Sequence, residues 1–130
     1  PELWVTDSSN DRIARVRDLD FDGDFDGPGE VVVFYDDTLG PFSLSNNVNI
    51  ESRRDGTLWV SDTSFDFLLR LEDLDGNGDA HGPGEATIFF DVGNGSGIAV
   101  PSMQGLHWQG DVLWVANTQA GPSGKDTILR

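Results

Sequence analysis

At 130 residues, with 37% hydrophobic and 24% charged side chains, the chain has the length and apolar content of one ordinary folded domain. Its net charge of −15, from 23 acids against 8 lysines and arginines, argues against a nucleic-acid partner, whose phosphates demand the opposite sign. Cysteine is absent, which excludes disulfides and zinc-thiolate sites, and no apolar run approaches the length of a membrane span.

Taken in chain order, the elements are short strands divided by turn residues. LWVT (3–6) is rich in β-formers, and in ARVR (14–17) apolar residues alternate with charged ones, as expected of an outer strand wet on one face. An acidic, glycine-rich stretch (18–30) precedes EVVVFYD (30–36), a continuous apolar run that suits a strand covered on both faces. VNIES (48–52) is a weaker strand. LWVS (58–61), LRLE (69–72), a second acidic stretch (73–85), ATIFFD (86–91), GLHW (105–108), LWV (113–115) and ILR (128–130) then repeat the order. Sixteen glycines and six prolines supply the turns, and no stretch has a sustained helical period.

The order is that of a repeat. LWV recurs at 3–5, 58–60 and 113–115, a spacing of 55, and the same offset aligns Asp7 with Asp62, Arg15 with Arg70, Asp18 with Asp73, Phe34 with Phe89 and Asp36 with Asp91. Residues 41–57 and 96–112 share no identities at that offset, which is where function diverges most easily within a repeat. The modules are 3–57, 58–112 and a partial 113–130, in one domain spanning 1–130. Four antiparallel strands in a module of this length form the unit of a β-propeller blade, so the expected fold is all-β, with propeller blades making a partial ring. Because the chain begins and ends inside a module, the expectation is a piece of a longer polypeptide, with chains completing a ring together as the alternative; with no signal peptide at Pro1, targeting information is expected to be absent or already removed. The partners are then the remaining blades, from the same polypeptide or from other copies.

The acidic stretches carry the chemistry. DLDFDGDFDGPGE and DLDGNGDAHGPGE hold ten of the 23 acids, and both end in Gly-Pro-Gly-Glu. Two carboxylates about 4 Å apart repel by roughly 1 kcal/mol in water and about 4 kcal/mol at an effective dielectric near 20, so such a cluster needs full solvation or a cation. Oxygen side chains at positions 1, 3 and 5 followed by glycine at 6 match the first half of an EF-hand-type calcium loop. The second half departs from it, since the acid comes one place after the usual twelfth position. The first metal set is Asp18, Asp20, Asp22, Asp24 and Glu30 with Asp26 as a further ligand; the second is Asp73, Asp75, Asn77, Asp79 and Glu85, for two Ca²⁺ in all. His81, standing where Asp26 stood, is a poor ligand for a hard cation and makes the second site the weaker. Leu19 and Leu74 are expected to anchor the loops to the core. Without a metal, the same residues serve turn geometry alone.

The run LWVTDSSNDRIARV (3–16) resembles the NHL repeat, a propeller module in which a strand ends in Val-x-Asp and an Asn-x-Arg-Ile turn begins the next. The second module departs from it with Phe65 and Phe67 in place of Asn10 and Arg12, and the third with Asn117 and an insertion containing GPSGK. DGTLWVSDTSFDFLLRLEDLDGNGDA (55–80) is similar to the sorbosone-dehydrogenase-like propellers of secreted bacterial proteins. The resemblance implies a secreted, periplasmic or cell-surface protein, and it extends to quinoprotein sugar dehydrogenases, in which pyrroloquinoline quinone sits at the central mouth and calcium assists. No residue set here matches a catalytic histidine with cofactor-binding arginines, so an enzyme rests on analogy of fold.

Several single residues have two readings each. His107 is a general base or a structural or exposed histidine. Arg53 and Arg54 bind an anionic group or belong to a solvated hairpin turn. Trp4, Trp59 and Trp114 recur and are explained by packing, whereas Trp108 does not recur and is the better ligand candidate. Asn94-Gly-Ser is a formal glycosylation sequon. The leading expectation is a calcium-stabilised extracellular scaffold with a carbohydrate or protein ligand. A quinone-dependent or lactonase-like enzyme and a subunit of an extracellular filament or surface layer are the alternatives.

Overall fold

The structure, a computed structural model, describes residues 2–96, 98, 100–118 and 126–130. Among these there are ten strands and no helix: β1 (Glu2–Asp7), β2 (Arg12–Arg17), β3 (Val31–Asp36), β4 (Asn47–Ser52), β5 (Leu58–Asp62), β6 (Phe67–Leu71), β7 (Ala86–Asp91), β8 (Met103–Gln109), β9 (Val112–Asn117) and β10 (Thr127–Leu129). They form three antiparallel meanders, β1-β2-β3, β4-β5-β6-β7 and β8-β9-β10. The GPSGK insertion lies outside the described residues.

Each sheet obeys the two-residue period of a strand, and the repeat makes the faces equivalent. Leu58, Val60, Leu69 and Leu71 of the second sheet pack with Ile13, Phe34 and Tyr35 of the first. From its opposite face Trp59, Leu68 and the half-buried Phe90 pack with Met103, Leu106, Leu113 and Val115 of the third. The sheets therefore stack in chain order, with β4 lying between β1 and β8. The four-stranded sheet begins at β4, one strand before the LWV run, so the structural unit is offset from the 58–112 module.

Strand pairing gives the register of corresponding segments. Thr127, Ile128 and Leu129 pair with Asn117, Ala116 and Val115 as Phe67, Leu68 and Leu69 pair with Asp62, Ser61 and Val60, which puts ILR in register with LLR. In the divergent region Ile50 faces Val60 and Leu106 faces Val115, an offset of 56 between β4 and β8 instead of the 55 of the rest.

Two strand assignments reverse. β2 and β6 are interior strands, paired on both sides, and not outer ones. Three of their four arginines are accommodated by carboxylates, Arg12 on Asp36, Arg17 on Glu2 and Arg70 on Glu72, so alternation with charge did not signify an edge. The apolar runs β3 and β7 are each an edge strand and are not covered on both faces: Val31 is 56% and Phe89 50% exposed. Only the Phe34-Tyr35-Asp36 end of β3 is buried.

Candidate metal centres

Both acidic stretches connect interior strands to edge strands, β2 to β3 and β6 to β7. Their closing Gly-Pro-Gly-Glu is a turn with a stated geometry. Glu30 N–H donates to Gly27 O at 3.2 Å, and Glu85 N–H to Gly82 O at 3.1 Å. Gly29 and Gly84 both have φ +83°, and proline precedes each, the pattern of a type II turn. Glu30 and Glu85 are each only 2% exposed. Glu30 accepts Leu19 N–H on Oε1 (2.6 Å) and Gly27 N–H on Oε2 (2.8 Å). Glu85 accepts Leu74 and Asp75 N–H on Oε1 (2.8 and 3.1 Å) and Gly82 N–H on Oε2 (2.6 Å). Each glutamate thus ties the first turn of its loop to the last. Gly27 and Gly82 are required for this closure, since a Cβ there would stand 2.9 and 2.6 Å from the carboxylate.

The leucines do not anchor the loops, contrary to expectation: Leu19 is 52% and Leu74 58% exposed. Their backbone N–H groups, held by the glutamates, provide the attachment instead. A glutamate three residues after the first glycine of each Gly-Pro-Gly-Glu turn was the signal available for this.

Between the ends, the aspartates form a ladder of local turns. Phe21 N–H donates to Asp18, Asp22 N–H to Asp20, Asp24 N–H to Asp22 and Asp26 N–H to Asp24. The second loop repeats it, with Gly76 on Asp73, Asn77 on Asp75, Asp79 on Asn77 and His81 on Asp79. Gly23 and Gly78, the sixth residues, turn at φ +96° and +98°. Each first-loop aspartate of the ladder uses Oδ1 and leaves Oδ2 to a cation or to water. Carboxylate oxygens of Asp18, Asp20 and Asp22 lie within 4.8 Å of one another, as do those of Asp22, Asp24 and Asp26, and those of Asp73, Asp75 and Glu85. Glu30 falls outside the two first-loop groups, whereas Glu85 joins the second-loop group while it latches. Asp79 turns instead toward His81, with Oδ1 3.1 Å from Nδ1.

His81 has a role that its sequence position did not announce. Its Nε2 accepts Asp36 N–H at 2.8 Å, and its ring stacks on Tyr35 with centroids 5.7 Å apart. Beside it Ala80 N–H donates to Phe34 O at 2.8 Å, and Ala80 is fully buried. The second loop is thereby seated on the first sheet. Asp36 completes the contact: the Thr38 hydroxyl and N–H, with Arg12, hold its carboxyl below the ordinary carboxylate range.

A second grouping of candidates lies where β4 meets β8. Asn49 Oδ1 accepts Leu106 N–H and Glu51 Oε1 accepts Trp108 N–H, both at 3.1 Å. His107 Nδ1 is 3.3 Å from Glu51 Oε1, and Arg53 lies 4.9 Å from the Trp108 ring centroid. Arg53 sits in the β4–β5 hairpin turn, where Gly56 N–H donates to its carbonyl, while Trp108 packs edge-on to Trp59. Asn94 of the sequon spends its amide on Asp91 O and Ile98 O. No described helix is long and apolar enough to cross a membrane.

Comparison with family models, with curated proteins and with solved structures finds no match to the chain.

Proposed function

We propose that the chain is a calcium-stabilised part of an extracellular β-propeller that serves as a binding or structural scaffold. Three meander sheets stacked in chain order with their first strands side by side support the blade reading. The observation that carries the calcium reading is the convergence of carboxylate oxygens of Asp73, Asp75 and Glu85 within 4.8 Å of one another, in a loop that Ala80 and His81 seat on the neighbouring sheet. A cation that orders Asp73, Asp75, Asn77 and Glu85 then stiffens a junction between sheets and not merely a surface turn.

Binding to the native state alone adds about 4 kcal/mol at a thousandfold excess of ligand over its dissociation constant. That is a large share of the typical 5 to 15 kcal/mol of a domain, taken as order of magnitude. The melting temperature is expected to rise in calcium and fall in chelator, with Asp20→Asn and Asp75→Asn each removing one site in a calorimetric calcium titration. Identical melting in calcium and in chelator would refute the reading.

The Glu51–His107 pair gives the enzyme alternative a location, an acid and a base 3.3 Å apart at β4 and β8. Arg53 beside them is engaged by Trp108 and Asp111, which leaves a quinone-carboxylate role without support. Dye-linked sugar oxidation with added pyrroloquinoline quinone, and a lactone panel, test it; turnover abolished by His107→Ala would favour the enzyme. Particle images at native concentration test the filament alternative.

A further inference from the structure

An asparagine followed by glycine can lose its side-chain amide, because the glycine nitrogen reaches the asparagine carbonyl carbon and no Cβ obstructs the approach. The chain holds two such pairs, Asn77-Gly78 in the second acidic loop and Asn94-Gly95 in the turn after β7. At the first, three contacts fall on the three atoms that this reaction uses. Gly78 N–H, on the attacking nitrogen, donates to Asp73 Oδ2 at 3.0 Å. Asn77 Oδ1, where negative charge gathers, accepts Asp79 N–H at 2.8 Å. Asn77 Nδ2, the leaving nitrogen, is 3.4 Å from Asp75 Oδ2, and Asn77 is exposed, so water reaches it. An amide nitrogen attacks perpendicular to its own plane, whereas its N–H lies in that plane, so the Asp73 contact persists while the new bond forms.

The second pair lacks this arrangement. Asn94 Oδ1 accepts Ser96 N–H at 2.8 Å, but among the described residues no carboxylate accepts Gly95 N–H. Its leaving nitrogen is held in place by two backbone carbonyls, Asp91 O at 2.6 Å and Ile98 O at 3.2 Å. The two pairs therefore differ chiefly in whether a base sits on the attacking nitrogen. The first acidic loop differs too, since its Asp18 accepts Phe21 N–H and no described carboxylate accepts Gly23 N–H.

The structure assigns Asn77 as a site of self-catalysed deamidation, with Asp73 as the internal base and Asp79 N–H as the donor that stabilises the oxyanion. Gly78 N bonds to Asn77 Cγ and closes a five-membered succinimide, while Asp73 Oδ2 takes the Gly78 proton. The Cγ–Nδ2 bond breaks, and Nδ2 recovers that proton through solvent and leaves as ammonia. Water then adds to one of the two imide carbonyls and opens the ring to aspartate or isoaspartate. Position 77 thereby gains the carboxylate that Asp22 supplies at the same place in the first loop. Isoaspartate also adds a methylene to the backbone of the loop that Ala80 and His81 seat on the first sheet. The inference goes beyond the proposed function and does not depend on calcium.

The intact protein, kept at neutral pH in chelator with and without urea, tests it by mass spectrometry of proteolytic peptides, which reads the exchange of NH2 for OH at each position. In the native protein Asn77 is expected to convert roughly tenfold or more faster than Asn94. In urea, where both pairs lie in an open chain, the two rates are expected to converge. This comparison needs no variant. Asp73→Asn keeps an oxygen acceptor for Gly78 N–H and removes the base, so it should slow native conversion at Asn77 by roughly tenfold or more and leave the rate in urea unchanged. Asn94 reports on the fold of that variant, since its rate stays at the native value unless the chain unfolds. A native Asn77 no faster than Asn94, or a preference for Asn77 that persists in urea, overturns the inference. An undiminished native rate in folded Asp73→Asn overturns it also.

Discussion

Glu30 and Glu85, one repeat apart, perform the same closure: each lies buried behind a type II turn and accepts backbone N–H groups from both ends of its own loop. Glu85 holds three donors and Glu30 two. A buried donor left unpaired costs about 1–3 kcal/mol. Glu85→Ala is therefore expected to lower stability by about 3 kcal/mol or more in urea denaturation, with Glu30→Ala lowering it less. A loss below about 0.5 kcal/mol for Glu85→Ala would mean that the closure contributes nothing.

Gly82 and Glu85 act as one device. A Cβ on Gly82 would come within 2.6 Å of Glu85 Oε2, so Gly82→Ala must push the carboxylate out of its seat. In a double-mutant cycle the combined variant should cost little more than the worse single one, a coupling of about 1 kcal/mol or larger. Strict additivity would show that the two residues do not share the turn.

His81 and Asp26 occupy equivalent repeat positions with different surroundings. His81→Ala removes the acceptor for Asp36 N–H and the stack on Tyr35, an expected loss of about 2 kcal/mol. Asp26 is exposed, so Asp26→Ala measured in chelator should stay within about 0.5 kcal/mol of the parent. Equal effects would remove the distinction between a seated loop and a free one.

Asp66 turns the β5–β6 hairpin at φ +55°, and burial, then the charge of Asp62, push its carboxyl above the ordinary range. An acid whose folded pKa lies above its unfolded value destabilises the native state at pH above both. The penalty fades as pH falls through the folded value and is gone below about 3.9. Asn tolerates the left-handed backbone, so Asp66→Asn should raise the melting temperature at neutral pH and leave it unchanged near pH 3, roughly. A variant that melts with the parent at neutral pH would contradict this.

Strand positions were legible because the two-residue period and the turn residues act locally: β7 coincides with ATIFFD, and β5 begins at Leu58 with LWV. The acidic ladder was legible for the same reason, since Asx turns are made within two or three residues. Which strands lie at an edge was not, because pairing is set by the neighbouring strands, and the charged alternation of β2 and the apolar run of β3 pointed the opposite way.

The chain's own text determined a 55-residue β-repeat and two oxygen-rich loops, since both follow from short-range spacing in the backbone. Tertiary structure alone decided that His81 fastens one of them to Asp36, 45 residues away in sequence. Glu30 and Glu85 take their donors from within 11 residues of the same loop, whereas the His81 imidazole meets Asp36 N–H only after the two sheets have stacked.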